Sequence, residues 1–246
     1  MITYNPDLKI FYSTKINDGF YFSGFSTKEL GSARETDNIF KFFSENGLAF
    51  ENLVILNQIH STNISVYQRP IPFNKLINVE DTDGVITKNV GAILIVRNAD
   101  CVPLLFVDKS TGFIGISHQG WRGSLKNMAT KMVNAFLNLG SKVENLVCSI
   151  GPAIGSCCYD IDDDRYYDFL NQFDGFSDKI FLKKKGHWHL SLAHLNHLQL
   201  VDAGIKKENI DFFPFCTKCD KHRFFSRRRT KSKKFEEMFN FIVKLK

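Results

Sequence analysis

Three residues with metal-binding side chains stand where apolar, strand-like segments are interrupted: His60, Cys101 and His118. Two imidazoles and one thiolate would form a three-ligand site with an open fourth position, which is the pattern of catalytic rather than structural zinc. Histidine and cysteine also occur at strand ends in purely structural roles. The sequence therefore offers a zinc site as one hypothesis and unrelated structural roles as the alternative.

The same residue types could also perform nucleophilic catalysis. Cys101 with His118 as its base, oriented by Asp83 or Asp100, would make a thiol hydrolase if the pKa of the thiol is lowered. A sequence does not distinguish a thiolate nucleophile from a thiolate ligand. Both interpretations of Cys101 stay open at this level.

A second group of candidate ligands lies in the segment CTKCDKH, which contains Cys216, Cys219 and His222. The close spacing suits a metal ion, and Cys157 or Cys158 could complete a four-ligand structural site. No second pair of ligands follows at zinc-finger spacing, so free, packed thiols are the default expectation. Metal binding by this segment is the competing hypothesis.

The segment 112–137 places His118 between two packed elements. A β-branched run at 113–116 followed by glycines predicts a buried strand that ends in a tight turn. Apolar residues at helical spacing over 125–137 predict a helix, with Ser124 as its N-cap and Gly140 as its stop. A junction of this kind exposes backbone N–H groups and the positive end of a helix dipole. We therefore expect an anion site that Arg122 could strengthen.

The other two candidate ligands lie at breaks between predicted strands. His60 lies between strand candidates at 53–58 and 64–67, and Cys101 lies inside the apolar run at 92–108. Pro103 lacks the N–H that a β-ladder needs, so we expect a bulge or turn at Cys101. Strands outnumber helices and do not alternate with them regularly, which favours an α+β fold with a mixed sheet over a doubly wound fold. No domain boundary is visible, so residues 1–246 are expected to form a single domain.

Composition limits the possible function classes. The apolar fraction of 43% supports a hydrophobic core. The net charge of +6 is concentrated at 223–235, RFFSRRRTKSKKF, which contains seven basic residues and no acidic one. This segment could bind nucleic acid or phosphate, but a solvated basic face is the first expectation. The six cysteines are scattered, and neither a signal-like N-terminal segment nor an apolar run of about 18 residues is present. We expect a cytoplasmic protein with reduced thiols and no membrane association.

Six segments in chain order resemble the motifs of one family. They are NQIHS, DTDGVIT, NADCVPLLF, ISHQGWRGSLKNM, IGPAIGSCCYDID and CTKCDKHRFFSRRR. The chain is similar to the YfiH family, also called laccase-domain or multicopper polyphenol oxidoreductase-like proteins and, more recently, purine nucleoside phosphorylases. The resemblance covers roughly residues 22–229. It implies one domain with a mixed, sandwiched sheet flanked by helices, similar to the catalytic domain of cytotoxic necrotizing factor toxins.

The resemblance also implies an activity and a metal. His60, Cys101 and His118 would be both the zinc ligands and the catalytic residues. The reaction would be phosphate-dependent cleavage of adenosine, inosine and S-methyl-5′-thioadenosine, with adenosine deamination as a second reaction in a monomer or homodimer. Copper-dependent oxidation of polyphenols is the older assignment of the family. It fits poorly, because a multicopper oxidase needs about ten ligands, mostly histidine, for several copper ions. The seven histidines of this chain are scattered.

Matching the family motifs residue by residue indicates a phosphate site and two supporting carboxylates. Lys28 stands where the family's FSTR motif has an arginine, and it keeps the charge without the bidentate guanidinium. Asp83 and Asp100 are expected to fix the tautomer of a ligand histidine. The expected phosphate-binding residues are Lys28, Arg122, Phe225, Ser226, Arg227 and Arg229. Arg122 could instead brace the turn, and Arg227 replaces a tyrosine of the family's SYRRDG motif.

Overall fold

The computed structural model describes residues 1–47, 52–68, 75–230 and 232–246. In chain order its strands are β1 (Ile2–Asn5), β2 (Ile10–Ser13), β3 (Tyr21–Ser26), β4 (Asn52–Leu56), β5 (Ile64–Tyr67), β6 (Lys75–Val79), β7 (Gly84–Thr87), β8 (Ala92–Asn98), β9 (Val102–Asp108), β10 (Phe113–Gln119), β11 (Leu146–Ile150), β12 (Asp160–Ile161), β13 (Phe181–Lys184), β14 (His187–Leu190), β15 (Ile210–Phe212) and β16 (Met238–Lys244). The α-helices are α1 (Thr36–Glu45), α2 (Trp121–Leu125), α3 (Met128–Asn138), α4 (Asp163–Gln172), α5 (Ser177–Ile180) and α6 (Leu192–Asp202).

Within these ranges the strands form two large mixed sheets and one small sheet. The order across the first sheet is β1, β2, β3, β16, β8, β4, β6, and across the second it is β15, β11, β9, β10, β7, β5. The small sheet contains β12, β14 and β13. Most neighbours are antiparallel, but β4 runs parallel to β6 and β8, β5 to β7, and β11 to β15. The predicted mixed-sheet α+β fold is confirmed.

The two large sheets pack face to face. In β9, Leu105 and Val107 belong to the core cluster that also contains Leu94 of β8, so they point toward the first sheet. The alternate residues Leu104 and Phe106 belong to a different cluster on the opposite face. This period-two alternation is expected of a strand buried on both faces. The second sheet therefore has two buried surfaces.

Helices cover the outer faces of the sandwich. On one side α1 packs Phe42 and Phe43 against Phe241 of β16, with ring centroids 5.6 and 5.0 Å apart. On the other side α3 packs Phe136 against Phe106 of β9, at 5.7 Å. Full burial of such a ring contributes about 1.5–3 kcal/mol. The described elements are thus layered as helix, sheet, sheet, helix, with aromatic contacts between each of these helices and the sheet it covers.

Three strand ends converge at one end of the sandwich. β4 and β8 are parallel neighbours, so both strands end at the same end of the first sheet. From each of them the chain then crosses to the second sheet. The first crossing carries His60 between β4 and β5, and the second carries Cys101 between β8 and β9. His118, near the end of β10, pairs with Pro103 at the start of β9. The sheet topology therefore brings three separate chain segments together.

The helix predicted after β10 is interrupted, which corrects the expected N-cap. Ser124 lies inside the short helix α2, and α3 begins only after Asn127, whose φ of 58° is left-handed. The side chain of Asn196 on α6 donates to Ser124 Oγ at 2.9 Å. Ser124 therefore packs two helices together instead of capping one. Gly140, with φ of 91°, follows the end of α3 as predicted.

The helices in the described ranges are short. α3 and α6 have 11 residues each, whereas a membrane-spanning helix needs about 20 mostly apolar residues. No helix of the described chain has the length and apolar character to cross a bilayer. The single domain over residues 1–246 and the similarity to necrotizing factor toxins stay predictions.

Candidate metal centre and pocket

His60, Cys101 and His118, here called the trio, meet at the end of the sandwich. One nitrogen of each histidine and the thiol sulfur all lie within 4.8 Å of one another. Cys101 Sγ is 3.9 Å from His60 Nε2, and the two imidazole rings are nearly perpendicular. His60 is exposed, Cys101 is half buried and His118 is buried. The group is therefore accessible from one side, which suits a metal ion with a free coordination position.

Asp83 is fully buried and organises both histidines of the trio. Its Oδ1 atom is 2.9 Å from His118 Nδ1. Its carboxylate also accepts the backbone N–H groups of Ile59, His60 and Ser61, which fixes the loop that carries His60. With the Nδ1 proton held by a carboxylate, the ring of His118 directs Nε2 toward the other members of the trio. The structure thus places Asp83 where a tautomer-fixing partner belongs.

The charges within the trio depend on one another. Burial raises the pKa of Cys101, but His118 and His60 outweigh burial and bring this pKa to about 6. Burial lowers the pKa of His118, whereas Cys101 and Asp83 raise it, to about 10. Without a metal, the trio therefore contains a thiolate beside an imidazolium at neutral pH. A thiolate both binds metals and attacks electrophiles, so the geometry is compatible with both interpretations of Cys101.

The loops that carry the trio contain strained backbone. His60 has φ of 60° and Asp100, which precedes Cys101, has φ of 90°. Positive φ is costly for residues other than glycine and persists only where surrounding contacts hold it. Gly120 is also required here, because a Cβ at this position would overlap the ring of His60. The surrounding contacts thus hold the backbone in a strained conformation that sets the positions of the trio side chains.

Asp100 ties the trio to the C-terminal part of the chain. Its carboxylate accepts hydrogen bonds from Thr217 Oγ1 at 2.6 Å, Ser226 Oγ at 2.9 Å and the backbone N–H of Arg228 at 2.7 Å. It makes no hydrogen bond to either ligand histidine within the described chain. The predicted role in fixing a ligand histidine is therefore placed at Asp83, and Asp100 instead anchors the loop that follows Cys216.

A pocket of about 480 Å³ opens on the trio. Its cationic lining residues in the described ranges are Arg34, Arg97 and Arg227. Arg34 and Arg227 lie over the ring of Phe235, at 4.7 and 5.1 Å from its centroid. Arg97 is half buried, and its guanidinium has no hydrogen bond or ion pair with any described residue. An unpaired guanidinium beside a candidate metal centre is a binding group for an anion such as phosphate.

The amide side chains that line the pocket hold backbone rather than face a ligand freely. Gln58 makes two hydrogen bonds of 2.7 Å with the backbone N–H and C=O of Arg97. Asn98 donates to the carbonyl of Cys101 at 2.6 Å and accepts from Asn240 at 2.9 Å. These amides fix the loops on which Cys101 and Arg97 stand. The arginines are thus the polar groups of the pocket best placed to receive an anion.

Gln58, Asn98, Arg97 and Arg34 were not predicted to be site residues from the sequence. Gln58 lies inside the segment NQIHS, and Asn98 lies inside NADCVPLLF, each within three residues of a trio member. This closeness in sequence is the feature by which they could have been predicted. Arg97 precedes the second of these segments by one residue. Arg34 lies outside all six segments and reaches the pocket only through the tertiary fold.

Arg227 alone among the expected phosphate-binding residues lines this pocket in the described chain. Lys28 Nζ donates to the carbonyl of Lys221 at 2.7 Å. Arg122 lies over the ring of its neighbour Trp121, at 4.4 Å from the centroid. Lys28 therefore fastens the C-terminal loop, and Arg122 braces the turn after β10, which is the alternative that the sequence left open.

The other expected phosphate-binding residues support the same loop. The backbone N–H of Phe225 lies 3.1 Å from Met238 Sδ, and Ser226 Oγ donates to Asp100. Arg229 donates to the carbonyls of Thr217 and Lys218 at 3.0 and 2.9 Å. Their side chains and N–H groups are thus engaged within the protein. We assign them to the conformation of the loop rather than to the pocket.

The basic segment 223–235 is only partly a solvated face. Arg223 pairs with Asp220 and lies over the ring of Phe215, at 4.8 Å. Arg228 Nη1 is 2.6 Å from Asp160 Oδ1. These contacts link the segment to the body of the protein. Exposed pairs of this kind contribute little to stability, and their effect here is on loop position.

The second predicted ligand group forms, but with a different composition. The sulfur atoms of Cys157, Cys158, Cys216 and Cys219 all lie within 4.8 Å of one another, and we call them the cysteine cluster. His222 is not part of it, because the chain after Cys219 turns back on itself and exposes His222. Both of the alternative cysteines, rather than one of them, join the pair from CTKCDKH.

The histidines of α6 do not form a metal site in the described structure. His194 and His197 lie one turn apart and pack against the ring of Phe212, with centroids 5.0 and 5.9 Å away. They therefore cover the edge strand β15, as a helix with histidines at its polar edge is expected to do. His187 and His189 lie on β14 of the small sheet.

Together these features define an α+β protein in which two packed mixed sheets present a His, Cys, His group and an arginine-lined pocket at one end. The chain belongs to the family described as multi-copper polyphenol oxidoreductase laccase, which matches residues 31–244. This match confirms the family resemblance of the six sequence segments.

Similar proteins carry names from purine metabolism. The chain is 29% identical to the adenosine deaminase RL5 from an unknown prokaryotic organism, over 74% of this chain and 72% of RL5. It is 34% identical to the purine nucleoside phosphorylase RP494 of Rickettsia prowazekii, over 63% of this chain and 62% of that protein. The crystal structure of the hypothetical protein YfiH from Bacillus licheniformis superposes with a TM-score of 0.80 at 29% identity, covering 91% of this chain and 92% of YfiH. Two of these three similar proteins are thus named as enzymes, an adenosine deaminase and a purine nucleoside phosphorylase, and the chain spans about three fifths of the length of the second.

Proposed function

We propose that this protein is a zinc-dependent purine nucleoside phosphorylase that acts on adenosine, inosine and S-methyl-5′-thioadenosine and deaminates adenosine as a side reaction. The observation that carries the proposal is that the trio and the unpaired guanidinium of Arg97 line one pocket. Phosphorolysis needs an anion site beside the group that acts on the nucleoside, and this pocket offers both. Its volume lies in the range of small-molecule sites.

The donor set of the trio fits zinc. His60 and His118 offer imidazole nitrogens and Cys101 offers a thiolate, which are the usual zinc ligands in sites with an open position. Zinc bound there would act as a Lewis acid toward a substrate or a water molecule. Copper oxidation of polyphenols is less well supported. The candidate metal groups within the described chain are the trio and the all-sulfur cysteine cluster, and neither is a histidine-rich multicopper set.

Arg97 is the proposed phosphate ligand. Its guanidinium can hold two phosphate oxygens at once, and Arg34 and Arg227 add positive charge at the rim. A third phosphate oxygen would attack C1′ of the nucleoside while the bond from C1′ to the base nitrogen breaks. The base leaves with the bonding electron pair and takes up a proton, which gives the free base and ribose 1-phosphate. Arginine side chains orient the attacking group and offset its charge.

Asp83 and His118 are the proposed means of holding the trio in its working state. Asp83 keeps a proton on His118 Nδ1, so Nε2 stays directed at the trio. In the deamination reaction water would replace the amino group at purine C6 and release ammonia. Both reactions would then use the same trio, with phosphate bound at Arg97 required only for the first.

A cysteine hydrolase is the second candidate function, because Cys101, His118 and Asp83 also resemble a nucleophile, a base and an orienting acid. The pKa of Cys101, which burial raises and His118 and His60 together lower to about 6, favours the thiolate. His118 is oriented by Asp83 in the manner of a catalytic triad. Metal content separates the two candidates. A hydrolase remains active after chelation and is inactivated by alkylation of Cys101, whereas the proposed phosphorylase loses activity with its metal.

The test is an assay of the purified protein on adenosine and inosine with and without phosphate, in which ribose 1-phosphate and ammonia are measured separately. Ribose 1-phosphate should form only with phosphate present. Arg97→Ala should reduce this reaction about tenfold to a hundredfold, because a charge-assisted hydrogen bond contributes about 1.5–3 kcal/mol. Ammonia release from adenosine should persist in this variant.

Arg122→Ala is the matched control, since Arg122 is a cation near the trio in sequence but lies on Trp121 outside the pocket lining. It should leave the phosphate dependence of the parent protein within about twofold. Equal losses in the two variants would contradict the assignment of Arg97. No ribose 1-phosphate from any of the three nucleosides would contradict the proposed activity itself.

A further inference from the structure

The cysteine cluster gathers four thiols outside the pocket. Cys158 Sγ lies 3.4 Å from Cys219 Sγ, and Cys157 Sγ lies 3.6 Å from the same atom. All four sulfur atoms, including that of Cys216, fall within 4.8 Å of one another. Two come from the loop after β11 and two from the loop after β15. The cluster therefore joins two chain segments that are about sixty residues apart.

These separations match a single tetrahedral ion. With zinc–sulfur bonds of about 2.3 Å, the edges of a regular tetrahedron of sulfur atoms are about 3.8 Å long. The contacts of Cys219 Sγ with Cys158 Sγ and Cys157 Sγ, at 3.4 and 3.6 Å, lie close to that length, and all four sulfur atoms fall within 4.8 Å of one another. A disulfide bond, by contrast, needs about 2.05 Å between two sulfur atoms and leaves the other two thiols unused.

The backbone around the cluster is arranged for negative sulfur. The N–H groups of Gly155, Lys218 and Cys219 are directed at Cys216 Sγ. Such N–H to sulfur hydrogen bonds are the outer contacts that support thiolate ligands in metal sites. A Cβ at Gly155 would lie 3.3 Å from Cys157 Sγ, so the loop packs closely against the sulfur atoms. These contacts support a negative sulfur at Cys216, and a bound cation would hold the other three thiols beside it as thiolates.

We propose that Cys157, Cys158, Cys216 and Cys219 bind one zinc ion in a closed, structural site that is separate from the trio. Soft thiolate ligands select zinc among the common divalent ions, and four of them leave no free coordination position. The site has a structural rather than a catalytic role. The existence of this site does not rest on the proposed phosphorylase activity, since none of its cysteines lines the pocket.

The ion would clamp the two loops on which the trio depends. Thr217 follows Cys216, donates its backbone N–H to the carbonyl of Ala153 at 3.0 Å and donates its hydroxyl to Asp100. Ile154 donates its N–H to the carbonyl of Asp100 at 2.9 Å. Asp100 directly precedes Cys101. Zinc in the cluster would thus hold the two loops, after β11 and after β15, whose hydrogen bonds to Asp100 fix the position of Cys101.

The test measures zinc per chain by elemental analysis of protein purified under reducing conditions. Cys101→Ala removes one ligand of the trio and should retain one zinc, because the cluster is intact. Adding Cys219→Ser to that variant should remove the remaining zinc. Cys148→Ala is the matched control, since Cys148 is a buried cysteine outside both groups, and it should leave the zinc content of the parent unchanged.

Cobalt substitution provides a second measurement that does not depend on how well Cys219→Ser folds. In Cys101→Ala, one equivalent of cobalt should produce the intense thiolate-to-cobalt absorption of a tetrahedral site with four sulfur ligands. Cys219→His keeps four ligands of accepted zinc type and should restore metal binding with a changed cobalt spectrum.

The outcomes separate this site from the proposed function. If the Cys101→Ala variant binds neither zinc nor cobalt, the proposed cluster site is wrong, whatever metal content or activity the parent protein has. Mass mapping that finds a disulfide between Cys219 and Cys157 or Cys158 in the reduced preparation would also overturn it. If the parent and Cys101→Ala both hold one zinc, the cluster site stands and the zinc assignment of the trio fails.

Discussion

The trio and the cysteine cluster both concentrate metal-binding side chains, but their surroundings differ. The trio mixes imidazole and thiolate, rests on the buried carboxylate of Asp83 and faces a pocket with the unpaired guanidinium of Arg97. The cluster is made of four sulfur atoms, receives backbone N–H groups at Cys216 and lies outside the lining of that pocket. An open site beside a pocket can act on a ligand, whereas a closed site can only hold the chain. The comparison shows that the surroundings, rather than the ligand types alone, determine the role of such a group.

The two groups are nevertheless mechanically connected. Asp100 lies beside Cys101 of the trio and accepts a hydrogen bond from Thr217, which lies beside Cys216 of the cluster. Disturbing the cluster should therefore affect the trio indirectly, through loop position, while disturbing the trio should leave the cluster intact. The three predictions below test this asymmetry.

The largest effect is expected from Cys101→Ala. This change removes the thiolate of the trio, so turnover of purine nucleosides should fall to background, measured as kcat/KM for ribose 1-phosphate and ammonia formation. Cys219→Ala, its counterpart in the cluster, should lower the midpoint of thermal unfolding and retain a detectable fraction of turnover. If Cys101→Ala and Cys219→Ala lost turnover equally while both remained folded, the assignment of a catalytic role to the trio and a structural role to the cluster would be wrong.

A smaller effect is expected from Asp83→Asn. The amide is a weaker partner for His118 Nδ1, and loss of such an outer contact typically costs about 10- to 100-fold in metal affinity or activity. Competition with a chromophoric chelator should show this weakening for the trio and an unchanged affinity for the cluster.

Asp100→Asn is the control for Asp83→Asn, because Asp100 anchors the loop without a hydrogen bond to the trio histidines in the described structure. It should reduce thermal stability more than it reduces metal affinity. A weaker cluster in Asp83→Asn, with the trio unaffected, would reverse the roles assigned to the two groups.

The smallest effect is a difference in thiol reactivity after the metal has been stripped by a chelator. The pKa of Cys101, raised by burial but lowered by His118 and His60, is about 6, and that of Cys158, raised by burial and by Cys219, is about 11. Cys101 should thus be alkylated at neutral pH and lose reactivity as the pH falls through 6, whereas Cys158 gains reactivity only as the pH rises toward 11. A more basic thiolate is the stronger nucleophile, which offsets part of the difference in thiolate fraction, so the net difference in rate at neutral pH is about 30- to 100-fold.

Peptide mass analysis after timed alkylation with iodoacetamide gives the rate at each cysteine over a range of pH. Zinc added before alkylation should protect both groups. If Cys158 reacted faster than Cys101 at neutral pH in the metal-free protein, the lower pKa assigned to Cys101 would be contradicted.

Local sequence patterns predicted much of the framework. β-branched and apolar runs identified strands such as β5 and β10, and Pro103 indicated the break beside Cys101. These features depend on side-chain shape and on missing backbone donors, which act within a few residues. The break between α2 and α3 was missed, because it depends on Asn196 of the distant helix α6, which binds Ser124.

The sequence by itself determined the residue types of the site: the family motifs named His60, Cys101 and His118, and the short CTKC spacing named half of the cysteine cluster. Only the tertiary structure decided which groups share a location. Parallel neighbours β4 and β8 bring the trio together, and the fold brings Arg97 to the pocket while it turns Arg122 away. The fold also leaves His222 outside the cluster, in which both Cys157 and Cys158 join the two cysteines of CTKC. Ligand chemistry is a property of single side chains, whereas proximity depends on contacts between segments far apart in the chain, which local patterns do not encode.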